Sequence, residues 1–246
     1  MSRRGGGLLE GLRGIVVGVG LGMGRSIALS MAREGASLGL ISRSVERLKA
    51  ICGEVEAFNV KCYYHAADAT VKSSLEEAAL SLTSSLGGVD VVVYNAGGWF
   101  STSSVEELDE EFLLGALKSN IVGLFNTVKV FLEELAKTRG VLVVISASPK
   151  VILSGNAAYA AAKGGQVWMV KRLAKELAQK GIRVVAIGPG PTSKEPSPIE
   201  PEDPKLMDPK PHPAVYVGEA VVVVVSRKMY RLTGEYIALD GGLSIL

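Results

Sequence analysis

Tyr159 and Lys163 stand four residues apart in an alanine-rich stretch, and their side chains could together transfer a proton. Alanine favours helix, and residues four apart lie on one face of a helix, so the hydroxyl and the ammonium would face a common point. A free phenol has a pKa of about 10, and a neighbouring cation lowers that pKa by favouring the phenolate. General acid–base catalysis at neutral pH needs such a shift. The pair therefore predicts a proton-transfer site, and an ordinary amphipathic helix surface is the alternative.

A glycine-rich turn near the N-terminus predicts a phosphate-binding loop. Four glycines follow an apolar, strand-like segment and precede a segment with helical periodicity; they are Gly18, Gly20, Gly22 and Gly24. Glycine lets the backbone approach a pyrophosphate closely, and the free N–H groups at the start of the helix bind its charge. A tight turn that binds no ligand is the alternative.

The end of the next predicted strand favours NADP(H) over NAD(H) as the cofactor. An acidic residue at this point would bind the ribose hydroxyls, whereas an arginine suits a 2′-phosphate. The strand ends in Ser42 and Arg43, and the first acid after it is Glu46. The alternative is that Arg43 is an ordinary surface residue at the start of a helix.

Strand-like and helix-like segments alternate along the whole chain. Predicted strands cover 14–19, 37–42, 61–65, 89–94, 141–145, 182–187 and 235–239. Predicted helices cover 25–34, 45–58, 71–86, 105–137, 157–180 and 218–228, and the long one should break near Gly115 or Gly123. This alternation requires right-handed crossovers and predicts an α/β Rossmann fold, a doubly wound parallel sheet with helices on both faces.

The order of these segments predicts one domain over 1–246 in three parts. Residues 12–188 would form the cofactor and catalytic core, and 214–246 a final helix and strand. Nine of the ten prolines fall in 189–213. Because proline fixes φ and lacks an N–H donor, this part is predicted to be a stiff flap over the substrate side of the cleft, with a plain exposed excursion as the alternative.

Composition excludes several other classes of protein. The formal net charge is +2, with interspersed acids and bases, which argues against a nucleic-acid surface. No apolar run reaches the length of about 20 residues that a membrane span requires. Two histidines and two cysteines, Cys52 and Cys62, make a metal site improbable. The cysteines are predicted to be free thiols in a reducing compartment, and without a secretory signal the protein is expected to be cytoplasmic.

The ordered motifs resemble those of the short-chain dehydrogenase/reductase family, in particular its 3-oxoacyl-ACP reductase-like members. The resemblance runs from Leu12 to Leu243 and includes the glycine turn, Asn95-Ala-Gly97, Tyr159-x-x-x-Lys163 and the closing Asp240-Gly-Gly. It implies hydride transfer between NADP(H) and a carbonyl or alcohol. The catalytic residues so implied are Asn120, Ser146, Tyr159 and Lys163. The cofactor-binding residues are predicted to be Gly18, Gly20, Leu21, Gly22, Met23, Gly24, Ser42, Arg43, Asp68, Ala69, Asn95, Ala96, Gly97, Tyr159, Lys163, Pro189, Gly190 and Thr192.

The resemblance also implies roles for these residues. Tyr159 would donate or accept the proton, and Lys163 would lower its pKa and bind the nicotinamide ribose. Asn120 would hold a water that leads to Lys163. A serine would bind the carbonyl: counting back from Tyr159 gives Ser146, whereas alignment of the preceding strand puts Ala147 at the family's serine position and leaves Ser148 as an alternative.

Four positions depart from the family pattern, and the function has alternatives. The departures are Val17, Tyr94, Val185 and Lys194. An enoyl reductase is disfavoured because such relatives separate the tyrosine and lysine further. A dinucleotide-binding regulator or scaffold without turnover remains as an alternative.

The resemblance further implies small-molecule substrates and a homodimer or homotetramer. The substrate wall is predicted at 98–100, at 149–154 and in the flap, where Trp99, Phe100, Val151, Ile152 and Leu153 are apolar. A ketone, a 3-oxoacyl thioester, a steroid-like compound or a sugar derivative would each suit it.

Overall fold

Seven parallel strands form one sheet in this computed structural model, which describes residues 6–200 and 206–245. The strands are β1 (Arg13–Val17), β2 (Ser37–Ser42), β3 (Cys62–Ala66), β4 (Val91–Tyr94), β5 (Val141–Ile145), β6 (Arg183–Pro189) and β7 (Tyr236–Leu239). Their spatial order is β3-β2-β1-β4-β5-β6-β7. The order reverses between β1 and β4, which is where ligands bind in open α/β sheets. The predicted doubly wound parallel sheet is confirmed.

Eight helices connect the strands in the described part of the chain. They are α1 (Met23–Arg33), α2 (Val45–Glu56), α3 (Lys72–Leu86), α4 (Glu110–Leu117), α5 (Gly123–Thr138), α6 (Pro149–Ser154), α7 (Ala157–Leu177) and α8 (Val215–Val225). A π-helical turn, Lys118–Val122, joins α4 to α5. The predicted long helix therefore starts later than expected and is broken by this turn, which ends next to Gly123. The short helix α6 lies in a segment with no predicted helix.

Alternate side chains of the central strands pack on opposite faces of the sheet, as β geometry requires. Val16 and Val93 pack toward α1, α2 and α8, whereas Val92 and Val144 pack toward α3, α5 and α7. The central strands are buried on both faces, which explains their nearly continuous apolar sequences. No described helix is long and apolar enough to span a membrane.

Cys52 in α2 and Cys62 in β3 are joined by a disulfide, with their Cα atoms 5.5 Å apart. The prediction of free thiols is wrong. The chain turns back between α2 and β3, which brings two residues ten positions apart into the range in which a disulfide can form. The inference of a reducing compartment loses this support, and the cytoplasmic location stays a prediction.

Candidate active site

The glycine turn after β1 is shaped by close backbone contacts. Gly18 has a φ of +93°, and a Cβ at this position would lie 2.3 Å from the backbone nitrogen of Ala96. A Cβ at Gly24 would lie 2.7 Å from the Gly18 carbonyl oxygen. That carbonyl accepts a hydrogen bond of 2.7 Å from Asn95 Nδ2. The turn thus needs glycine at both positions, and the loop after β4 holds it in place.

A cavity of about 750 Å³ lies beside this turn, where the first four strands end. Nine of the predicted cofactor residues line it: Gly18, Gly20, Ser42, Arg43, Asp68, Ala69, Asn95, Ala96 and Gly97. The other nine predicted residues are not part of its lining; they are Leu21, Gly22, Met23, Gly24, Tyr159, Lys163, Pro189, Gly190 and Thr192. The first group spans the carboxyl ends of the four strands, as expected for the adenosine half of a dinucleotide.

Positive charge is concentrated at one end of the cavity. Arg43 and Arg47 both line it and are exposed. Lys118, the first residue of the π-turn, also lines the cavity and is exposed. Asp68 opposes them: burial disfavours its ionisation, but a hydrogen bond of 2.9 Å from the Thr70 N–H, together with Arg43 and Lys118, keeps its pKa below the ordinary value. Sequence reasoning missed Arg47, which lies in the first turn of α2, just after the strand end that carries Arg43.

Two residues that line the cavity carry buried polar atoms without a partner. Ser42 Oγ and Asn95 Oδ1 have no hydrogen-bond partner within the described ranges, and both residues line the cavity. Buried polar atoms normally have partners, so an unpartnered pair marks a place where a ligand or water completes the bonding. A Cβ at Gly20 would meet no atom within 4 Å, which leaves room against the backbone. These features fit a nicotinamide dinucleotide.

Tyr159 is held in the first turn of α7 by its neighbours. Asn156 caps the helix, accepting a hydrogen bond of 2.9 Å from the Tyr159 N–H. A Cβ at Gly155 would lie 2.6 Å from Tyr159 Cδ1, so the ring packs directly on that glycine. The Phe100 ring meets the Tyr159 ring edge-on at 5.2 Å. Burial raises the pKa of Tyr159 to about 12, so the phenol is protonated at neutral pH.

Lys163 lies one turn further along α7, and 6% of its surface is exposed. Its Nζ donates to the Ile145 carbonyl and to Gln166 Oε1, each at 3.2 Å. Burial lowers the pKa of Lys163 to about 8. The pKa values of Tyr159 and Lys163 therefore both shift toward the neutral forms. A lowered phenol pKa was expected from the pair, but with Nζ bonded to these two acceptors burial dominates at Tyr159.

Asn120 lies in the π-turn and is fully buried. Its Nδ2 donates to the Ala116 carbonyl at 2.9 Å, while Oδ1 has no partner among the residues described. Gly97 lies between Asn120 and Lys163: a Cβ there would be 2.4 Å from Asn120 Oδ1 and 3.4 Å from Lys163 Nζ. Because Gly97 also lines the nucleotide cavity, it connects that cavity to residues that are predicted to be catalytic.

Gln166 joins two of the predicted catalytic residues and was missed by sequence reasoning. Its Nε2 donates to the Asn120 carbonyl at 2.9 Å, while its Oε1 accepts from Lys163 Nζ. An amide side chain thus bridges the two groups for which the resemblance implies a bridging water. The spacing of seven residues from Tyr159 would have placed Gln166 on the right helix face, but only the fold reveals its contact with Asn120.

The two candidate serines both have buried hydroxyls. Ser146 donates to the Lys163 carbonyl at 3.0 Å, whereas Ser148 caps α6 by accepting from the Val151 N–H at 3.4 Å. Between them, the Ala147 carbonyl accepts a hydrogen bond of 2.6 Å from the Tyr236 hydroxyl. Burial, helped by the charge of Asp240 and by Tyr159, raises the pKa of Tyr236 to about 12. Tyr236 is thus a further hydroxyl at this edge of the sheet that sequence reasoning missed.

The proline-rich segment crosses the glycine turn and continues along α1. A Cβ at Gly22 would lie 3.2 Å from the carbonyl oxygens of Ser193 and Lys194. Further on, Ser197 Oγ is 2.8 Å from Ser26 Oγ, and Arg33 donates to the Ile199 carbonyl at 2.8 Å. Residues 201–205 of the predicted flap lie outside the described residues. Its role over the substrate stays a prediction.

The two ends of the proline-rich segment are hydrogen-bonded to each other. The Ser193 N–H donates to the His212 carbonyl, and the His212 N–H donates to the Pro191 carbonyl, both at 2.9 Å.

The residues of the predicted substrate wall lie in different places. Phe100 contacts Tyr159, as a wall residue would, whereas Trp99 lines the nucleotide cavity. The remaining predicted wall residues lie in α6, where Leu153 is 83% exposed.

Known proteins with a similar sequence or structure are oxidoreductases of one family. The family model described as short chain dehydrogenase matches residues 14–200. The chain is 30% identical over 254 residues to "Uncharacterized oxidoreductase YhdF" of Bacillus subtilis, covering 97% of this chain and 86% of that protein. It is 28% identical to the 3-oxoacyl-[acyl-carrier-protein] reductase FabG of Staphylococcus epidermidis, covering 93% of this chain and 97% of that protein.

A crystal structure from Burkholderia xenovorans, named for the short-chain dehydrogenases/reductases, superposes with a TM-score of 0.87 at 26% identity. It covers 98% of this chain, and 99% of that chain is matched. The family match spans β1 to β6 and includes both the nucleotide cavity and the Tyr159 helix. This protein belongs to the short-chain dehydrogenase/reductase family of oxidoreductases, which bind a nicotinamide dinucleotide and act on small molecules.

Proposed function

We propose that this protein transfers a hydride between NADP(H) and a carbonyl compound or secondary alcohol, with Tyr159 as the general acid and base. One observation carries the proposal: Asn120 and Lys163 converge on Gly97, which also lines the arginine-bearing nucleotide cavity. A protein that only bound a dinucleotide would have no need to bury a lysine and an asparagine beside that cavity.

The wall of the cavity supports NADP(H) as the cofactor. Arg43 and Arg47 offer two guanidinium groups to a 2′-phosphate, and Ser42 Oγ is a further unused donor. The glycine turn and the start of α1 would hold the pyrophosphate through backbone N–H groups. When bound, the reduced nicotinamide supplies the hydride for the carbonyl carbon.

Proton transfer would then be the task of Tyr159. Its raised pKa keeps the proton on the hydroxyl at neutral pH, where it is available to a carbonyl oxygen that gains electrons. In the oxidation direction the phenol must lose that proton, and a charged Lys163 nearby favours the phenolate. We assign the carbonyl-binding hydroxyl to Ser146, with Ser148 as the alternative. To donate to a substrate carbonyl, Ser146 would have to give up its hydrogen bond to the Lys163 carbonyl, whereas Ser148 accepts in its present bond and keeps its O–H free.

The decisive experiment combines cofactor titration with a Tyr159→Phe variant. Fluorescence or calorimetric titration should give tight binding of NADPH and weaker binding of NADH. Tyr159→Phe should bind NADPH like the wild type yet lose at least about 100-fold in turnover of carbonyl compounds, the contribution typical of general acid catalysis. Tyr230→Phe, which alters a tyrosine that is 69% exposed, is the matched control. Retained turnover in Tyr159→Phe would refute the assignment of Tyr159.

Two further properties belong to the same proposal. The apolar side chains near Tyr159, Phe100 among them, favour a substrate with little charge, such as a ketone or a 3-oxoacyl thioester. A homodimer or homotetramer is supported by apolar side chains exposed on neighbouring helices: Leu114 on α4, Phe125 on α5 and Trp168 on α7, each more than half exposed. Light scattering at micromolar concentration tests this, and a monomer would contradict it.

A further inference from the structure

Gln166 is a fully buried polar side chain at the centre of the catalytic group. Tyr159, Lys163 and Gln166 are at positions i, i+4 and i+7 of α7, so all three lie on one helix face. A buried amide must have its hydrogen bonds satisfied within the protein. Gln166 meets this need with two partners of different kinds, a backbone carbonyl and a lysine ammonium.

These two contacts form a chain from the π-turn to Lys163. Gln166 Nε2 lies 2.9 Å from the Asn120 carbonyl oxygen, and Gln166 Oε1 lies 3.2 Å from Lys163 Nζ. The amide orientation is fixed by chemistry, since the ammonium can only donate and the carbonyl can only accept. The Gln166 side chain therefore links α7 to the π-turn with its Nε2 toward Asn120 and its Oε1 toward Lys163, and we call this link the brace.

The second acceptor of Lys163 Nζ is the Ile145 carbonyl at the end of β5, also at 3.2 Å. Both acceptors are neutral, and a neutral acceptor stabilises an ammonium less than a carboxylate does. Burial is the cause of the lowered pKa of Lys163. The neighbouring elements present Tyr159 on α7, Asn120 in the π-turn, Ser146 after β5 and Gly97 after β4.

We propose that Gln166 is a positioning residue, whose amide is anchored on the Asn120 carbonyl, holds Lys163 Nζ and so sets where the amine stands relative to Tyr159 and Gly97. This inference rests on the proposed function, because the position of Lys163 matters for turnover only if Tyr159 transfers a proton. The amide carries no proton to substrate. Its effect on the reaction passes through Lys163, whose Nζ it holds within the buried site.

Two variants should move the Lys163 titration in opposite directions. Gln166→Leu removes the acceptor while keeping a side chain of similar volume, so the pKa of Lys163 should fall further, by about 1 unit. Gln166→Glu places a carboxylate beside the ammonium, and the pKa of Lys163 should rise by about 1 unit or more. A glutamine that only filled space would leave the pKa of Lys163 unchanged in Gln166→Leu, so the fall in that variant is the discriminating result, and the rise in Gln166→Glu shows that position 166 lies beside Nζ.

The titration is measurable by NMR on the intact protein without any substrate. The ¹³Cε and ¹⁵Nζ signals of Lys163, assigned by their loss in Lys163→Met, would be followed from pH 6 to pH 11 in the wild type and both variants. Gln179→Leu and Gln179→Glu are the matched controls, because Gln179 is exposed in the turn after α7. Gln166→Met, unbranched and without donor or acceptor, replaces the leucine variant if that variant fails to fold.

Opposite shifts in the Gln166 variants, absent from the Gln179 controls, would support the brace. Folded variants in which Lys163 titrates as in the wild type would overturn it. Turnover separates this inference from the proposed function: with an active wild type, Gln166→Leu should lower kcat about 10-fold and leave KM for the carbonyl compound nearly unchanged. A wild type that reduces no carbonyl compound would refute the proposed function, while the NMR shifts would still decide whether Gln166 holds Lys163.

Discussion

Replacing Arg43 with alanine should discriminate between the two nicotinamide cofactors. Arg43 lines the nucleotide cavity at the end of β2, close enough to Asp68 to help lower the pKa of that carboxyl. A 2′-phosphate carries a charge of about −1.5 to −2 at neutral pH, and NADH lacks this group. The loss of Arg43 should therefore weaken the binding of NADPH far more than that of NADH.

The size of the effect follows from the exposure of the site. Two unit charges about 4 Å apart attract by about 1 kcal/mol in water and about 4 kcal/mol at the effective dielectric constant near a protein surface. Arg43 is exposed, so the lower half of this range applies, and side-chain ordering offsets part of it. A loss of about 1–2.5 kcal/mol corresponds to a roughly 5- to 70-fold higher Kd for NADPH. The Kd for NADH should change less than about threefold.

The assay is a fluorescence titration with each cofactor at low and high salt. Because exposed charges are screened within about 10 Å at 0.1 M ionic strength, the wild type should lose NADPH affinity with added salt more steeply than Arg43→Ala does. Arg47→Ala should act in the same direction, since Arg47 lines the same cavity. Arg231→Ala, at an exposed arginine that is not part of the cavity lining, is the control. Equal losses for NADPH and NADH would refute the 2′-phosphate assignment.

Three further predictions concern the catalytic group and its support. Gly97→Ala should lower turnover at least about 100-fold in steady-state assays, because a Cβ would lie 2.4 Å from Asn120 Oδ1. Tyr236→Phe should lower the free energy of unfolding in urea by about 1–2 kcal/mol, because a main-chain carbonyl loses its 2.6 Å hydrogen bond. As pH rises from about 8 to about 10, the free energy of unfolding of the wild type should increase by about 1–3 kcal/mol relative to that of Lys163→Met. The reason is that the pKa of Lys163 is about 8 in the folded chain, whereas its ordinary value is 10.5. Denaturation at a series of fixed pH values measures this.

The sign of the last prediction follows from proton binding. Above pH 8 the folded chain releases the Lys163 proton while the unfolded chain still holds it, so a rise in pH favours folding. Tyr159 and Tyr236, with pKa values raised to about 12, lower the stability of both proteins above pH 10, and this effect cancels in the difference between the wild type and Lys163→Met. Parallel stability curves for the wild type and Lys163→Met would contradict a buried, discharged lysine. Normal turnover in Gly97→Ala or unchanged stability in Tyr236→Phe would contradict the other two.

Local sequence patterns were sufficient to predict the sheet and to select nine residues that the fold brings around one cavity. Apolar strands such as the one that ends at Tyr94 are bounded by glycines or polar residues, and each leads to a site residue at the same edge of the sheet. The glycine turn and the Tyr159–Lys163 pair are patterns of residues that are close in the sequence, so they can be recognised without the structure. The position of nine predicted residues around one cavity follows from the parallel order of the strands alone.

Features that depend on distant parts of the chain were not predictable. The π-turn follows the point where Ala116 of α4 packs against Ala158 and Ala162 of α7. The residue types within 118–122 do not predict a π-turn. The Gln166 contact joins residues 46 positions apart. The disulfide depends on the direction in which the chain turns after α2. In each case the decisive partner lies on another element, so local periodicity holds no information about it.

Burial also explains why the expected phenolate is not the resting form of the site. Tyr159 and Lys163 both shift toward neutrality because each is desolvated and the lysine is bonded to neutral acceptors. A neutral phenol is the form that a proton donor requires, so under the proposed function the raised pKa of Tyr159 would favour carbonyl reduction. Oxidation needs the phenolate, and therefore a charge brought close to the hydroxyl. Gln166 binds the Lys163 amine that can carry this charge. Its hydrogen bond to Lys163 would therefore influence whether the site favours reduction or oxidation of the substrate.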